Sequence, residues 1–361
     1  MSITITRRQT RPIHVGSVAV GGGAPISVQS MTNTFTQDVD ATVSQIRRLE
    51  DAGCEIVRAA VPDMAAAEAI ARIRKAISIP LVADIHFDYK LALAAISAGA
   101  DAIRINPGNI GKKSRIRAVV DGARDQGISI RVGVNSGSLE KNLLEKHGGP
   151  CAEALVESAL NHVDILGSMG FDQVKVSIKS SDVLETIAAY RLFSDRSDVP
   201  LHIGVTEAGG FYAGITKSAV GIGCLLLDGI GDTLRVSLTR DPVEEIRVGY
   251  EILRAAGIRR RGPEIISCPT CGRCEIDLFS IAGEVESALM SVQAPIKVAV
   301  MGCVVNGPGE AAAADVGIAG GKNGGVLFKK GKVVKKFPQH RLAGELLAAV
   351  YALDTTTPGE S

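Results

Sequence analysis

One local unit recurs through the first two thirds of this chain and leaves few folds open to it. An amphipathic helix ends at a glycine, and an apolar strand follows at once. The unit reads E-D-A-G-C-E-I-V-R-A-A-V at 50–61 and I-S-A-G-A-D-A-I-R-I-N-P at 96–107. It returns as R-D-Q-G-I-S-I-R-V-G-V-N at 124–135 and G-S-M-G-F-D-Q-V-K-V-S-I at 167–178. Gly53, Gly99, Gly127 and Gly170 stand where a helix needs a left-handed C-cap, a conformation glycine adopts without steric cost. The first helix follows the same logic, with Asp40 as its cap and Val43, Ile46 and Leu49 on one face.

Strands read at 26–30, 56–61, 81–85, 102–106, 129–134, 173–178, 201–206 and 224–227. Strands this apolar are buried on both faces, as in parallel sheets. Eight such units favour an α/β fold of the (β/α)8 TIM-barrel type, with a doubly wound open sheet as the alternative. The stretch S-G-S-L-E-K-N-L-L-E-K-H-G-G-P after the fifth strand reads as an extended loop over the barrel mouth.

The pattern changes at Arg259-Arg260-Arg261-Gly262-Pro263, which reads as a linker. It divides a barrel at 1–260 from a smaller α/β domain at 264–361. The second domain reads as a strand into Cys268, a helix around 278–292, a strand at 296–301, a Lys-rich hairpin and a helix at 342–351. A formal net charge of +1 gives no global pull toward nucleic acid or an acidic membrane. Tryptophan is absent and aromatics are only 4%, which argues against base stacking. No run approaches a membrane span, and the N-terminus lacks the apolar core of a signal peptide, so a cytoplasmic protein is expected.

Barrel enzymes carry their working groups at the C-terminal ends of the strands. Those ends here offer Arg58, then Asp84 and His86, Arg104 and Asn106, Arg131 and Asn135, Lys179, Glu207, and finally Asp228, Asp232, Arg235 and Ser237. For any one position a structural ion pair, such as Arg58 with Glu55, is an equal reading. Together the cations share one geometric place. An anionic, phosphorylated small molecule is the natural resolution, since arginine's planar fork suits phosphate oxygens. The spacing Asp-Ile-His puts Asp84 and His86 on one strand face.

The second domain carries S-C-P-T-C-G-R-C, with Cys268, Cys271 and Cys274, and G-C-V-V-N-G-P-G-E, with Cys303 and Glu310. Seven cysteines, unevenly spread, do not make a secreted disulfide framework. Cys54, Cys151 and Cys224 stand alone and read as buried inert thiols. The run C-x2-C-x2-C is nearer to an iron–sulfur pattern than to a zinc ribbon, though zinc stays open and spacing alone makes Cys274 a ligand.

These residues resemble the 4-hydroxy-3-methylbut-2-en-1-yl diphosphate synthase family of isoprenoid biosynthesis, in its two-domain bacterial form. The resemblance spans nearly the whole chain. It includes V-Q-S-M-T-N-T, D-I-H-F, I-R-I-N-P-G-N, R-V-G-V-N-S-G-S-L, G-V-T-E-A-G and 229–238. It implies an oxidoreductase with a TIM barrel and a 4Fe–4S domain similar to the cluster domains of sulfite reductases. The cluster ligands it implies are Cys268, Cys271, Cys303 and Glu310, with Cys274 left out. Around the substrate it implies Arg58, Arg104, Asn106, Arg131, Asn135, Lys179, Arg235, Ser237 and Asn306. Glu207 is the candidate acid–base group, with Asp84, His86 and Glu310 also catalytic. The resemblance further implies a cyclic diphosphate substrate, flavodoxin or ferredoxin as electron donor, and a homodimer. Neither nucleic acid nor membrane is an expected partner. Two rival readings stand beside it: a phosphate-binding aldolase-type barrel with a structural zinc ribbon, and a non-enzymatic iron–sulfur carrier.

Overall fold

The structure is a computed structural model that describes residues 5–303, 309, 313–322 and 324–354. The chain forms two compact units, Met1–Arg259 and Arg260–Ser361.

The first unit opens with a hairpin of β1 (Ile13–Val15) and β2 (Val18–Val20), turned at Gly16 with φ +53°. Eight strands follow: β3 (Ser27–Met31), β4 (Ile56–Ala60), β5 (Leu81–Asp84) and β6 (Ala102–Ile105), then β7 (Ser129–Asn135), β8 (Val174–Lys179), β9 (His202–Ile203) and β10 (Thr233–Leu234). Their pairing runs in the order β8-β7-β6-β5-β4-β3-β10-β9, every pair parallel. A bridge between Val176 and Leu201 joins the two ends, and the Val176 N–H donates to the Pro200 carbonyl at 2.9 Å. The sheet is therefore a closed ring, and the open-sheet alternative falls.

Alternation explains how each strand serves two compartments. Val28, Val57, Ile103, Ile130, Val176 and Ile203 face outward into the core shared with the helices. The hairpin residues Ile13, Val15 and Val20 pack on Ile56, Val82 and Ala102 near the strand starts, which closes the barrel floor. Gly53, Gly99, Gly127 and Gly170 all have positive φ, as their C-cap position demands.

Several readings of the sequence need correction. The eighth strand is Thr233–Leu234, whereas 224–227 ends the helix Phe211–Leu227. A short apolar run such as C-L-L-L suits a buried helix turn as well as a strand, so periodicity alone could not separate them. The first helix is capped by Asp38, whose carboxylate accepts from the Ala41 N–H at 3.1 Å, and Asp40 lies in its first turn. The stretch after β7 is a short 3-10 turn and the helix Lys141–His147, ended by Gly148 in the left-handed region. Glu55 does not hold Arg58: it pairs with Arg259 at 2.9 Å, while Arg58 pairs with Asp84.

The second unit is a five-stranded sheet in sequence order: β11 (Glu264–Ser267), β12 (Lys297–Met301), β13 (Val316–Gly321), β14 (Gly324–Lys329) and β15 (Lys332–Phe337). The first three are parallel and the last two antiparallel. The helices Leu278–Leu289 and Leu342–Tyr351 cover one face through Ile281, Val285, Leu342 and Leu346.

Candidate active site

The strand ends of the barrel gather the predicted cations around very few carboxylates. Asp84, buried at the end of β5, lies 3.3 Å from Arg104 and 3.7 Å from Arg58. Burial pushes its carboxyl up, but Arg58, Arg104 and Arg131 outweigh that and hold it below the usual range. Arg104 also approaches the His86 ring nitrogen at 3.3 Å. Arg58 points its Nε and Nη2 at the Met31 sulfur, at 3.1 and 2.9 Å, a weak acceptor for two strong donors. Arg235 grips Glu245 through two bonds of 3.0 Å each.

Arg131 has no such partner. It is 1% exposed, and its Nε and Nη1 meet no acceptor. Lys179 at the end of β8 is also enclosed, and burial, together with Arg131, Arg235 and Arg58, pushes its ammonium well below the usual range. With Lys175, six buried or half-buried cations therefore stand against two buried carboxylates, Asp84 and Glu245. Like charges in a low dielectric repel strongly, so this arrangement is built for a polyanion.

Backbone details make the crowding possible. A Cβ on Gly133 would stand 2.3 Å from the Arg104 Nε, and one on Gly204 would stand 2.8 Å from the Lys179 Nζ. Asn106 caps the short helix Pro107–Ile110 with its side-chain oxygen, which leaves its amide N–H groups to donate. Asn135 ends β7 in register with Lys179. Ser237 is half-buried just beyond β10. Glu207 lies exposed in the loop after β9 with φ +51°, a backbone conformation that a non-glycine residue rarely holds without cause.

Two predicted positions do not join this group. Asp228 pairs with Arg191 at 2.7 Å, and Asp232 bonds Thr10, Arg7 and the Leu201 N–H, so both precede β10 rather than follow it. The sequence reading missed Lys175, Glu245 and Met31. Lys175 had a signal: in V-K-V-S-I-K every second residue is polar, so Lys175, Ser177 and Lys179 share the inward face. Glu245 had none, because it reaches Arg235 from the helix Pro242–Ala255.

In the second unit, Cys268 and Cys303 follow the adjacent parallel strands β11 and β12. The Cys268 N–H donates to the Val300 carbonyl at 3.1 Å. The loop from Cys268 turns through Thr270 at φ +66° and returns, the Glu275 N–H donating to the Gly302 carbonyl at 3.1 Å. Cys268, Cys271 and Cys303 are thus carried by one end of the sheet, and no disulfide ties them. Cys274 is placed differently. Its thiol donates to the Ile276 carbonyl at 3.2 Å, and it packs under Gly302, where a Cβ would stand 2.6 Å from its sulfur. Glu310 and Asn306 lie outside the described residues. Cys54 is buried with its thiol pushed up to about 12 by burial, in keeping with an inert role, whereas Cys151 and Cys224 are only half-buried against the core.

Comparison with known proteins bears directly on these two groups. The GcpE TIM-barrel domain matches residues 10–250, and the GcpE protein C-terminal domain matches residues 264–352. The chain belongs to the GcpE family. Among GcpE relatives, the 4-hydroxy-3-methylbut-2-en-1-yl diphosphate synthase (flavodoxin) of Geobacter sulfurreducens is 60% identical over 344 residues, 95% of this chain and 98% of that protein. The protein of the same name from Lawsonia intracellularis is 60% identical, over 91% of this chain and 92% of its own length. The dihydropteroate synthase of Yersinia pestis, a solved structure, overlays with a TM-score of 0.49 at 10% identity, over 68% of this chain and 98% of that one. So faint a likeness bears on neither fold nor chemistry. The GcpE match assigns a TIM barrel to the first unit.

Proposed function

We propose that this chain is an oxidoreductase that opens 2-C-methyl-D-erythritol 2,4-cyclodiphosphate reductively and dehydrates it to 4-hydroxy-3-methylbut-2-en-1-yl diphosphate. Its GcpE relatives are named as synthases of that product, with flavodoxin, at 60% identity over nearly the full chain. The observation that carries the reading onto these residues is the cation-rich mouth with two carboxylates, in a chain that also carries three unpaired cysteines at one sheet end. The reaction takes up two electrons and two protons, breaks two C–O bonds and releases water.

Arg58, Arg104, Arg131, Lys179 and Arg235 would hold the diphosphate. Their charges oppose the charge that accumulates on phosphate oxygen as the ring C–O bond breaks. Asn106, Asn135 and Ser237 add neutral hydrogen bonds, and Asn306 is assigned to the same substrate. Glu207, exposed at the rim, is the proposed proton donor, with Asp84 and His86 as the other acid–base candidates. Asp84 is better suited to aligning Arg58 and Arg104, since both hold its carboxylate ionised.

Cys268, Cys271 and Cys303, free thiols at one sheet end, suit the thiolate ligation of a 4Fe–4S cluster, and Glu310 is assigned as its fourth ligand. The C-x2-C pair with a distant third cysteine lacks the second C-x2-C pair of a zinc ribbon and is nearer to an iron–sulfur pattern. A four-iron cluster takes one protein ligand per iron, so its donors stand apart. When bound, the cluster supplies the two electrons singly. Flavodoxin, named with the relatives, is the proposed donor, with ferredoxin as substitute, and the working form is a homodimer in the cytoplasm. The barrel spans 1–260 and the cluster domain 264–361 in this assignment. Among the described residues no helix is long and apolar enough to cross a membrane.

The test is anaerobic purification followed by metal analysis and turnover. A brown protein with about four irons per chain and reductant-dependent product formation is expected. A colourless protein with stoichiometric zinc would overturn the reading.

A further inference from the structure

Barrels of this size usually fill their lumen with layers of branched apolar side chains. Above the apolar hairpin plug, the lower lumen of this one is partly polar. Ser27 and Gln29 on β3, Ser129 and Arg131 on β7, Lys175 on β8 and His202 on β9 alternate with residues of the outer core, so they face the lumen. All six are at most 1% exposed. Their Oγ, amide, guanidinium, ammonium and imidazole Nε2 atoms include none of the strand hydrogen bonds. Ser27 Oγ, both Gln29 side-chain atoms, Ser129 Oγ, Arg131 Nε and Nη1, Lys175 Nζ and His202 Nε2 have no partner.

Native proteins pair nearly all such atoms, so these call for a partner other than the protein's own groups. The unpaired set is rich in donors. Lys175 and Arg131, cross-strand neighbours in the β7–β8 ladder, can only donate while charged. Among the described residues the buried carboxylates are already engaged, and Asp84 acts on Arg131 only through its charge, with no direct bond. Asp84 is held by Arg58 and Arg104, Glu245 by Arg235, and Asp232 by Thr10, Arg7 and the Leu201 N–H. Water alone would satisfy the hydrogen bonds but leave two buried cations without a bonded counter-ion. The interior of an eight-stranded barrel has room for side chains or at most one small ligand, so a single atom is the most easily admitted anion at the floor.

We propose that the floor of the barrel is a resident halide site, in which one chloride ion sits between Arg131 and Lys175 and takes neutral hydrogen bonds from Ser27, Gln29, Ser129 or His202. The ion would also supply the negative charge that the mouth lacks from below, so Arg131 stays charged and in place before any substrate arrives. Without it, burial and the neighbouring Arg131 push the Lys175 ammonium well below its usual range. The competing state is thus a neutral amine among waters.

Bromide separates the two. Full-length protein exchanged from chloride into bromide is crystallised, and anomalous scattering is collected at the bromine edge, with and without inorganic diphosphate. The expected result is a bromide peak within hydrogen-bond distance of the Lys175 Nζ that persists when diphosphate occupies the mouth and is lost in Lys175→Met. In solution, chloride should raise the wild-type melting temperature above its value in gluconate more than it raises that of Lys175→Met. Bromide confined to the mouth, or a floor holding only water, overturns the proposal. So does a phosphoryl oxygen in place of the floor peak, which would make the floor part of the substrate site. The wild-type peak needs no variant, so a Lys175→Met chain that fails to fold leaves the test standing.

Discussion

Lys179 ends β8 enclosed by three arginines, and that setting has a measurable linkage. Burial first, then Arg131, Arg235 and Arg58, depress its ammonium in the free enzyme. A bound diphosphate favours the charged form and raises that pKa again. Binding must therefore take up protons where the free amine is partly neutral, and must weaken as pH rises through the range between the two pKa values. Calorimetric titration with inorganic diphosphate in two buffers of different ionisation enthalpy should reveal this uptake, and Lys179→Met should lose most of it. Equal heats in both buffers for the wild type would contradict the argument. The cysteines allow a second test at this scale. Cys274 spends its thiol on the Ile276 carbonyl beneath Gly302. Cys274→Ser should keep its absorbance near ~400 nm and its iron, whereas Cys268→Ala should lose both, since only the second removes a cluster thiolate. Iron loss of the same size in both would restore Cys274 as a ligand. The mouth cations were legible because strand ends are predictable from alternation and glycine caps. Glu245 and the space over Gly133 were not, because each answers to a residue distant in sequence.

Whole elements were legible where a pattern ran long enough to exclude the alternative. Seven of the barrel strands lie at apolar runs read from the sequence, four of them just after a helix-ending glycine, and the helix Leu342–Tyr351 matches its reading residue for residue. The eighth strand was misplaced because the apolar run at 224–227, which ends the helix Phe211–Leu227, mimics a strand, while the true pair Thr233 and Leu234 is too short to compete with it. The Lys-rich hairpin was legible from its turn. Lys330 and Gly331 both take positive φ there, between β14 and β15. β15 is the sheet edge, exposed from Lys332 through Lys336. Edge lysines discourage unwanted strand pairing, which accounts for them without any partner. If they also steer an acidic electron carrier, flavodoxin-dependent turnover should fall with added salt more steeply than turnover with a small chemical reductant. Changing Lys332, Lys335 and Lys336 to Gln should reduce the flavodoxin rate several-fold and flatten its salt dependence. Equal salt sensitivity with both reductants would leave only the edge-protection role.

For the molecule as a whole, the homodimer reading is open to complementation. Glu207→Ala and Cys303→Ala lesions fall in different units, and each should abolish turnover in a pure population. If barrel and cluster from two chains serve one active site, random subunit exchange restores about a quarter of wild-type activity, since half the dimers then hold one intact site of two. Activity that stays at the level of the dead parents, with exchange confirmed separately, would place each site within one chain. The ring of the first unit has a consequence of another kind. β7 contributes seven residues to its ladders and β8 six, but β9 and β10 contribute two each, and the β8–β9 side closes on one bridge. A closed ring under thermal agitation parts where it is least stitched, and that sector leads straight into the loop of Glu207. Amide hydrogens measure such opening directly. The Thr233 and Arg235 amides, bonded to Leu201 and Ile203, should trade their protons for deuterium well before those of Ile130 and Val132. The barrel would then have a fault line, along which it visits an uncurled sheet for brief moments without losing its core.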